Sequence, residues 1–230
     1  MDGILLFNKP ILWTSHDAVD FIRLKLGQKK VGHAGTLDPM ATGLLLILIG
    51  KATKLSLALS ALDKDYFGTM KLGVTTDTQD LEGRIVAVAE TDEISEGAID
   101  AVFEELRGSR EQVIPMYSAA RKNGKKLYEW ARKGVCVEEM TKPVTISTLK
   151  VNCFALPEIH FFMTCSKGTY VRSVCDLAGK KLGCGAALSS LVRSRIGNFK
   201  LENAIDEKKI RNMPPADIEQ RLIKPSVVLK

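Results

Sequence analysis

Asp38 lies in Gly32-His33-Ala34-Gly35-Thr36-Leu37-Asp38-Pro39-Met40-Ala41-Thr42-Gly43, a stretch with three glycines in twelve residues. An aspartate with an ordinary pKa of about 3.9 is ionised at neutral pH and can act as a nucleophile. Glycine permits positive φ and close approach of a partner, and Pro39 pushes Asp38 out of helical geometry. An extended loop presenting Asp38 outward is therefore predicted. The same residues are also ordinary turn chemistry, and an isolated Asp on a glycine-rich loop is more commonly a turn former.

The elements that position this loop are readable on both sides of it. Residues 44–49 are an unbroken apolar run, predicted to be a strand buried on both faces. Upstream, residues 3–7 read as a strand closed by Asn8-Lys9-Pro10. Thr14 or Ser15 then caps a helix with Ala18, Phe21, Ile22 and Leu26 at helical spacing, stopped by Gly27, and a short strand at Val31 enters the loop. Residues 51–62 read as a helix with Ala52, Leu55, Leu59 and Leu62 on one stripe. Residues 65–73 alternate as a strand that gives Tyr66 a defined face, followed by a polar loop over 75–83 and a strand over 84–89. Ser95 caps a helix through Ile99, Val102, Phe103 and Leu106, ended by Gly108. Later come a short helix over 127–133, strands over 145–154 and 159–165, a helix over 170–182, and a Gly183-Cys184-Gly185 corner. This irregular alternation predicts an α+β fold with a mixed, mainly antiparallel sheet flanked by helices. Residues 1–205 are expected to form the main domain and 206–230 a short polar appendage.

With 230 residues, 45% hydrophobic and 26% charged, the chain has the composition of a soluble globular protein and no run of membrane-span length. Its N-terminus lacks the basic lead-in of a signal peptide, so a cytoplasmic location is expected. The five cysteines, Cys136, Cys153, Cys165, Cys175 and Cys184, form no CxxC pair. They are expected to be reduced core residues, with neither a disulfide framework nor a zinc site. His16, His33 and His160 are scattered, so no metal site is expected. A net charge of +6, concentrated around residues 25–30, 121–133 and 172–195, favours a nucleic-acid partner.

Two near-motifs fail on inspection. Gly50-Lys51-Ala52 has its upstream glycine at the wrong distance for a phosphate-binding loop, and no Ser or Thr follows the lysine. Gly183-Cys184-Gly185-Ala186-Ala187-Leu188 lacks the third glycine and the introducing βαβ unit of a dinucleotide site.

From residue 3 to about 199 the chain resembles the bacterial tRNA pseudouridine synthase B family. The matching motifs are Asn8-Lys9-Pro10, the stretch from Gly32 through Leu45, Lys64-Asp65-Tyr66, Thr76-Asp77-Thr78 and Tyr117-Ser118-Ala119. Further on are Gly124-Lys125-Lys126-Leu127-Tyr128-Glu129, Ser166-Lys167-Gly168-Thr169-Tyr170-Val171-Arg172 and Leu182-Gly183-Cys184-Gly185-Ala186. The resemblance implies a pseudouridine synthase fold and isomerisation of uridine to pseudouridine in the T loop of tRNAs, at the position conventionally numbered 55. It implies no cofactor and no metal; no protein partner is expected, and nothing in the sequence demands more than a monomer.

By the same resemblance Asp38 is the nucleophile and Arg172 the arginine that pairs with it. Tyr66 stacks on the target base, where a phenol also suits proton transfer, and Tyr170 and Leu191 line the pocket. His33 fills the gap left when the uridine turns out, and Lys9 and Pro10 brace the Asp38 loop. On the residues alone each has an ordinary alternative: a surface arginine, core tyrosines, a core leucine, a loop imidazole.

Two departures are visible. Val192 stands where the family usually carries the first of two adjacent arginines, so one cationic contact is expected to be missing. The chain also stops too early for the family's common C-terminal RNA-binding PUA domain, which implies a weaker grip on tRNA. Two rival readings stand beside the enzyme: a tRNA-binding and folding protein without essential catalysis, and a catalytic subunit guided by separate RNA and protein partners.

Overall fold

The computed structural model describes residues 1–135 and 137–225. Cys136, expected in the core, and residues 226–230 of the expected appendage lie outside the described residues. The chain divides into two compact units, one built from Met1–Tyr66 and the chain from Leu191 onward, the other from Phe67–Ser190.

The first unit contains β1 (Gly3–Lys9), α1 (Ser15–Leu26), β2 (Val31–Ala34), β3 (Thr42–Ile49), a 3-10 segment (Gly50–Leu55), α2 (Ser56–Ser60) and the start of β4 (Lys64–Leu72). The second holds the rest of β4, then β5 (Val74–Thr76), β6 (Ile85–Val88), α3 (Glu96–Leu106), β7 (Gly108–Val113), β8 (Arg121–Lys122) and β9 (Lys125–Lys126). It continues through α4 (Leu127–Ala131), β10 (Thr141–Ala155), β11 (Glu158–Cys165), α5 (Val171–Leu182) and the first part of β12 (Ala186–Ile196). The end of β12, β13 (Phe199–Lys200), β14 (Ile205–Asp206), α6 (Glu207–Asn212) and α7 (Pro215–Gln220) return to the first unit.

In the first unit β3 is the central strand. Along one edge β1 pairs with it antiparallel, from Gly3 opposite Ile49 to Lys9 opposite Gly43. Along the other edge β2 covers its far half, Val31 opposite Ile49 to Ala34 opposite Leu46, and β12 adds in parallel at Thr42 and Gly43. Alternate residues of β3 feed two cores, as a two-residue side-chain period requires. Leu45, Ile47 and Ile49 join Leu5, Phe7, Ala18, Val19 and Ile22, whereas Leu44, Leu46 and Leu48 join Ile4, Leu6, Ala52 and Leu59. An unbroken apolar run is what such a strand needs. α1 begins at a capping box, with Thr14 and Asp17 satisfying each other's backbone, and ends at Gly27 in the left-handed region.

The helix expected over 51–62 is divided. Lys51 N donates to Asp2 Oδ1 at 2.6 Å and Thr53 Oγ1 donates to Gly50 O at 2.8 Å. These bonds hold the first turns in the tighter 3-10 form before α2 begins. Past residue 205 the polar composition conceals Ile210 and Ile218, both fully buried in the same core as Phe7 and Ile22.

In the second unit β4, β11, β10 and β7 follow one another. β7 was not expected, because Gly-Ser-Arg-Glu-Gln-Val has no apolar alternation. It pairs antiparallel with β10 and buries only Gln112. α3 lies on this sheet through Ile99, Phe103 and Leu106, with the Phe103 and Phe161 rings edge-to-face at 6.2 Å. The polar loop expected from residue 75 starts inside a strand, since β5 pairs with β6. Cys165, Cys175 and Cys184 are buried as expected, but Cys153 is exposed. A register shift between Val151 and Cys153 takes that residue out of the inward row. Both units are mixed α+β structures, and no helix among the described residues is long and apolar enough to cross a membrane.

Candidate active site

Asp38 lies half-buried on the loop between β2 and β3, and many of the backbone groups around it are held. Gly35 N donates to Ser60 Oγ at 3.1 Å, so α2 fixes the loop's entry. Ser15, the first residue of α1, accepts from Leu37 N at 2.9 Å and donates to Leu37 O at 3.2 Å through the same hydroxyl. On the other side of Asp38, Pro39 O accepts from Leu12 N at 2.9 Å. The ammonium of Lys9, 0% exposed, donates to Pro10 O at 3.0 Å and Trp13 O at 2.5 Å, and lies 3.4 Å from Pro39 O. The bracing expected of Lys9 is thus direct. Ala41 N closes the loop on Asp38 O at 3.1 Å.

Beneath the loop runs Arg193, 1% exposed on β12. Its guanidinium donates to Leu44 O and Gly35 O at 2.8 Å each and to Thr36 O at 3.3 Å. Its backbone sits against Gly43, where an added Cβ would fall 2.4 Å from Arg193 O and φ is +100°. Only glycine fits there. Val192, at the place of the expected missing arginine, is half-buried and alternates to the opposite side of the strand.

Three other predicted residues share this unit. Tyr66 is buried on β4 and Leu191 on β12. His33 sits on β2, where its carbonyl accepts from Ser56 Oγ at 3.1 Å. Its Nδ1 is buried with no hydrogen-bond partner among the described residues. Burial, then the Arg193 charge and that of His16, lowers the His33 pKa, so the ring is neutral at neutral pH.

Arg172 and Tyr170 belong to the second unit, at the start of α5. Arg172 donates to Thr78 O at 2.8 Å and Tyr117 O at 3.0 Å, so two of the recognised motifs converge on one guanidinium. Its Nη1 is also 3.4 Å from Asp80 Oδ2, an ion pair with both side chains buried. Asp80 Oδ1 in turn accepts from Thr78 Oγ1 at 2.6 Å and Glu82 N at 3.1 Å. Asp80 thus orients Arg172. Asp80→Asn keeps the acceptor for Thr78 and Glu82 but removes the charge beside Arg172. It is expected to cost about 1–3 kcal/mol of stability, read as a lowered denaturant midpoint at unchanged slope. An unchanged midpoint would show that Asp80 is not what places Arg172.

A basic, aromatic surface completes the second unit's polar features. Around β8, β9 and α4, Lys125 lies 4.9 Å from the Trp130 ring centroid, and Lys126 and Arg132 each lie 5.3 Å from that of Tyr128. Cations and flat rings interleaved in this way suit a phosphate backbone and unstacked bases.

Sequence reading missed Asp80, Ser15 and Arg193. Asp80 lies in a run of Thr and Asp that reads as a solvated loop. Thr14 or Ser15 reads as the helix cap; Thr14 is the cap, which leaves the Ser15 hydroxyl to hold the loop. An arginine inside the otherwise inward-facing row of β12 was the available signal for Arg193.

The chain matches the model of TruB family pseudouridylate synthases (N terminal domain) over residues 23–171. The tRNA pseudouridine synthase B of Opitutus terrae is 45% identical over 223 residues, covering 97% of this chain and 92% of that protein. The protein of the same name from Geobacillus kaustophilus is 46% identical over 212 residues, covering 89% and 74%. Among solved structures, a chain of a Cbf5-Nop10-Gar1 complex has a TM-score of 0.71 at 28% identity, covering 90% of this chain and 52% of its own length. A chain of an H/ACA RNP bound to a substrate RNA containing 2'-deoxyuridine has a TM-score of 0.69 at 25% identity, covering 97% and 59%. The present chain therefore spans little more than half of those solved chains.

Proposed function

Because the chain belongs to the TruB family of pseudouridylate synthases, we propose that it isomerises uridine to pseudouridine in the T loop of tRNAs, at position 55. The observation that carries this reading is the fixation of the Asp38 loop. A half-exposed carboxylate is set between Leu37 and Pro39, both held by hydrogen bonds to the start of the chain. A turn former needs no such framework, but a nucleophile that must attack along one direction does.

The reaction breaks the bond between uracil N1 and ribose C1', turns the base, and joins C5 to C1', with the C5 proton lost and N1 taking one up. Asp38 is the group that attacks and later leaves. Arg172 supplies the cation that pairs with this carboxylate and fixes its direction. Tyr66 and Tyr170 receive the base turned out of its stack, with Leu191 as an apolar wall, and the phenol of Tyr66 suits the proton transfer at C5. His33, neutral and with a buried ring nitrogen that has no hydrogen-bond partner among the described residues, occupies the space the uridine vacates in the RNA. The basic surface around α4 grips the T stem-loop phosphates. In this reading the chain works in the cytoplasm as a monomer, without cofactor or protein partner.

The test is tritium release from tRNA labelled at uridine C5, with the purified chain alone. Release matching one uridine per tRNA, mapped to position 55, is expected. Binding of tRNA without release would overturn the catalytic reading and leave an RNA-binding protein or a subunit that requires partners.

A further inference from the structure

β7 and β10 place Gln112 directly opposite Lys142. Side chains at opposed positions of an antiparallel pair point to the same face, and here both meet Tyr170. Gln112 is 6% exposed, and its amide makes two hydrogen bonds to one residue's backbone. Nε2 donates to Tyr170 O at 3.0 Å, and Oε1 accepts from Tyr170 N at 2.8 Å. The side chain thus imitates a rung of a β-ladder. Lys142 Nζ lies 3.9 Å from the centroid of the Tyr170 ring, well inside cation–π range. Burial lowers the Lys142 pKa to about 8, and the face of the Tyr170 ring is the cation-stabilising contact that offsets part of that desolvation. Gly168 leaves the space for it, since a Cβ there would come within 3.1 Å of Nζ.

Tyr170 is the N-cap residue of α5, held extended at φ −92° and ψ 108°, and caps the helix without a side-chain hydrogen bond. Its carbonyl also accepts from Val174 N at 3.3 Å within the helix, but its N–H is held from outside by Gln112, and Arg172 follows two residues later on the first turn. We infer that Gln112 and Lys142 are positioning residues for the uridine pocket, Gln112 fixing the Tyr170 backbone and Lys142 the plane of its ring. This rests on the reading of Tyr170 as a wall of that pocket. It also accounts for a polar residue in the one buried position of β7, where an apolar side chain would leave the Tyr170 N–H and C=O without these partners.

The experiment compares the full chain with Lys142→Met, Lys142→Arg and Gln112→Glu by single-turnover tritium release, alongside tRNA affinity and thermal melting. Lys142→Met is expected to slow the single-turnover rate about tenfold. Its tRNA affinity and melting temperature should stay near wild type. Lys142→Arg should restore most of the rate, because a guanidinium also sits on a ring face. Gln112→Glu keeps the acceptor for Tyr170 N–H but has no donor for Tyr170 O, and its rate should fall while affinity holds. A wild-type rate in both Lys142→Met and Gln112→Glu would overturn the inference, as would losses that follow affinity and melting in parallel. An inactive wild-type chain would instead overturn the proposed function.

Discussion

Asp38→Asn is expected to abolish isomerisation, lowering the single-turnover rate by at least about a thousandfold, while tRNA binding stays within a few-fold of wild type. Asparagine has nearly the shape of aspartate, so the loop keeps its geometry. The loop's backbone bonds at Gly35, Leu37, Pro39 and Ala41 come from main chain or other side chains. The substitution removes the negative charge and the nucleophilic oxygen. A change confined to chemistry should leave melting within about 1 kcal/mol of wild type. C5 tritium release and filter binding on the same preparation separate the outcomes. A residual rate within tenfold of wild type would show that Asp38 is not the nucleophile. Equal loss of rate and binding would make it a structural residue of the loop.

The Asp38 loop was legible because its cause is local. Three glycines, a proline and a following run of six apolar residues constrain the backbone wherever they occur. α1 and α3 were legible for the same reason, through caps at Thr14 and Ser95 and one apolar stripe each. β7 was not, since the only side chain it buries is a glutamine whose partner, Tyr170, is 58 residues away. The framework of the site was hidden in the same way. Arg193 reaches carbonyls 149 to 158 residues earlier in the chain, and such polar contacts leave no period in the sequence. Asp80 looked solvated because an acidic side chain reads as buried only once its counter-ion is known, and Arg172 lies on another element. The roles of Tyr66, Tyr170, His33 and Leu191 came from resemblance, because a tyrosine or leucine in a half-apolar row reads the same whether it packs a core or receives a base.

Arg193→Met is expected to destabilise the chain by about 3–5 kcal/mol and to lower its melting temperature by roughly 10 °C. Methionine fills much of the same volume, so the cost is not chiefly a cavity. It comes from the carbonyls of Gly35, Thr36 and Leu44, each of which loses the guanidinium as donor. An unmade buried hydrogen bond costs about 1–3 kcal/mol, and the sum is less than additive because the loop relaxes. Arg193→Lys should recover only part of the loss, since one ammonium cannot reproduce a planar fork aimed at three separate oxygens. Below the melting transition Arg193→Met should still lose activity, because Gly35 and Thr36 lie on the path to Asp38 and their release moves the carboxylate. Melting curves read with tritium release at a temperature where the variant is folded test both parts. Wild-type melting would show that the other bonds hold the loop unaided. A folded variant with full activity would show that the position of Asp38 does not depend on the strand beneath it.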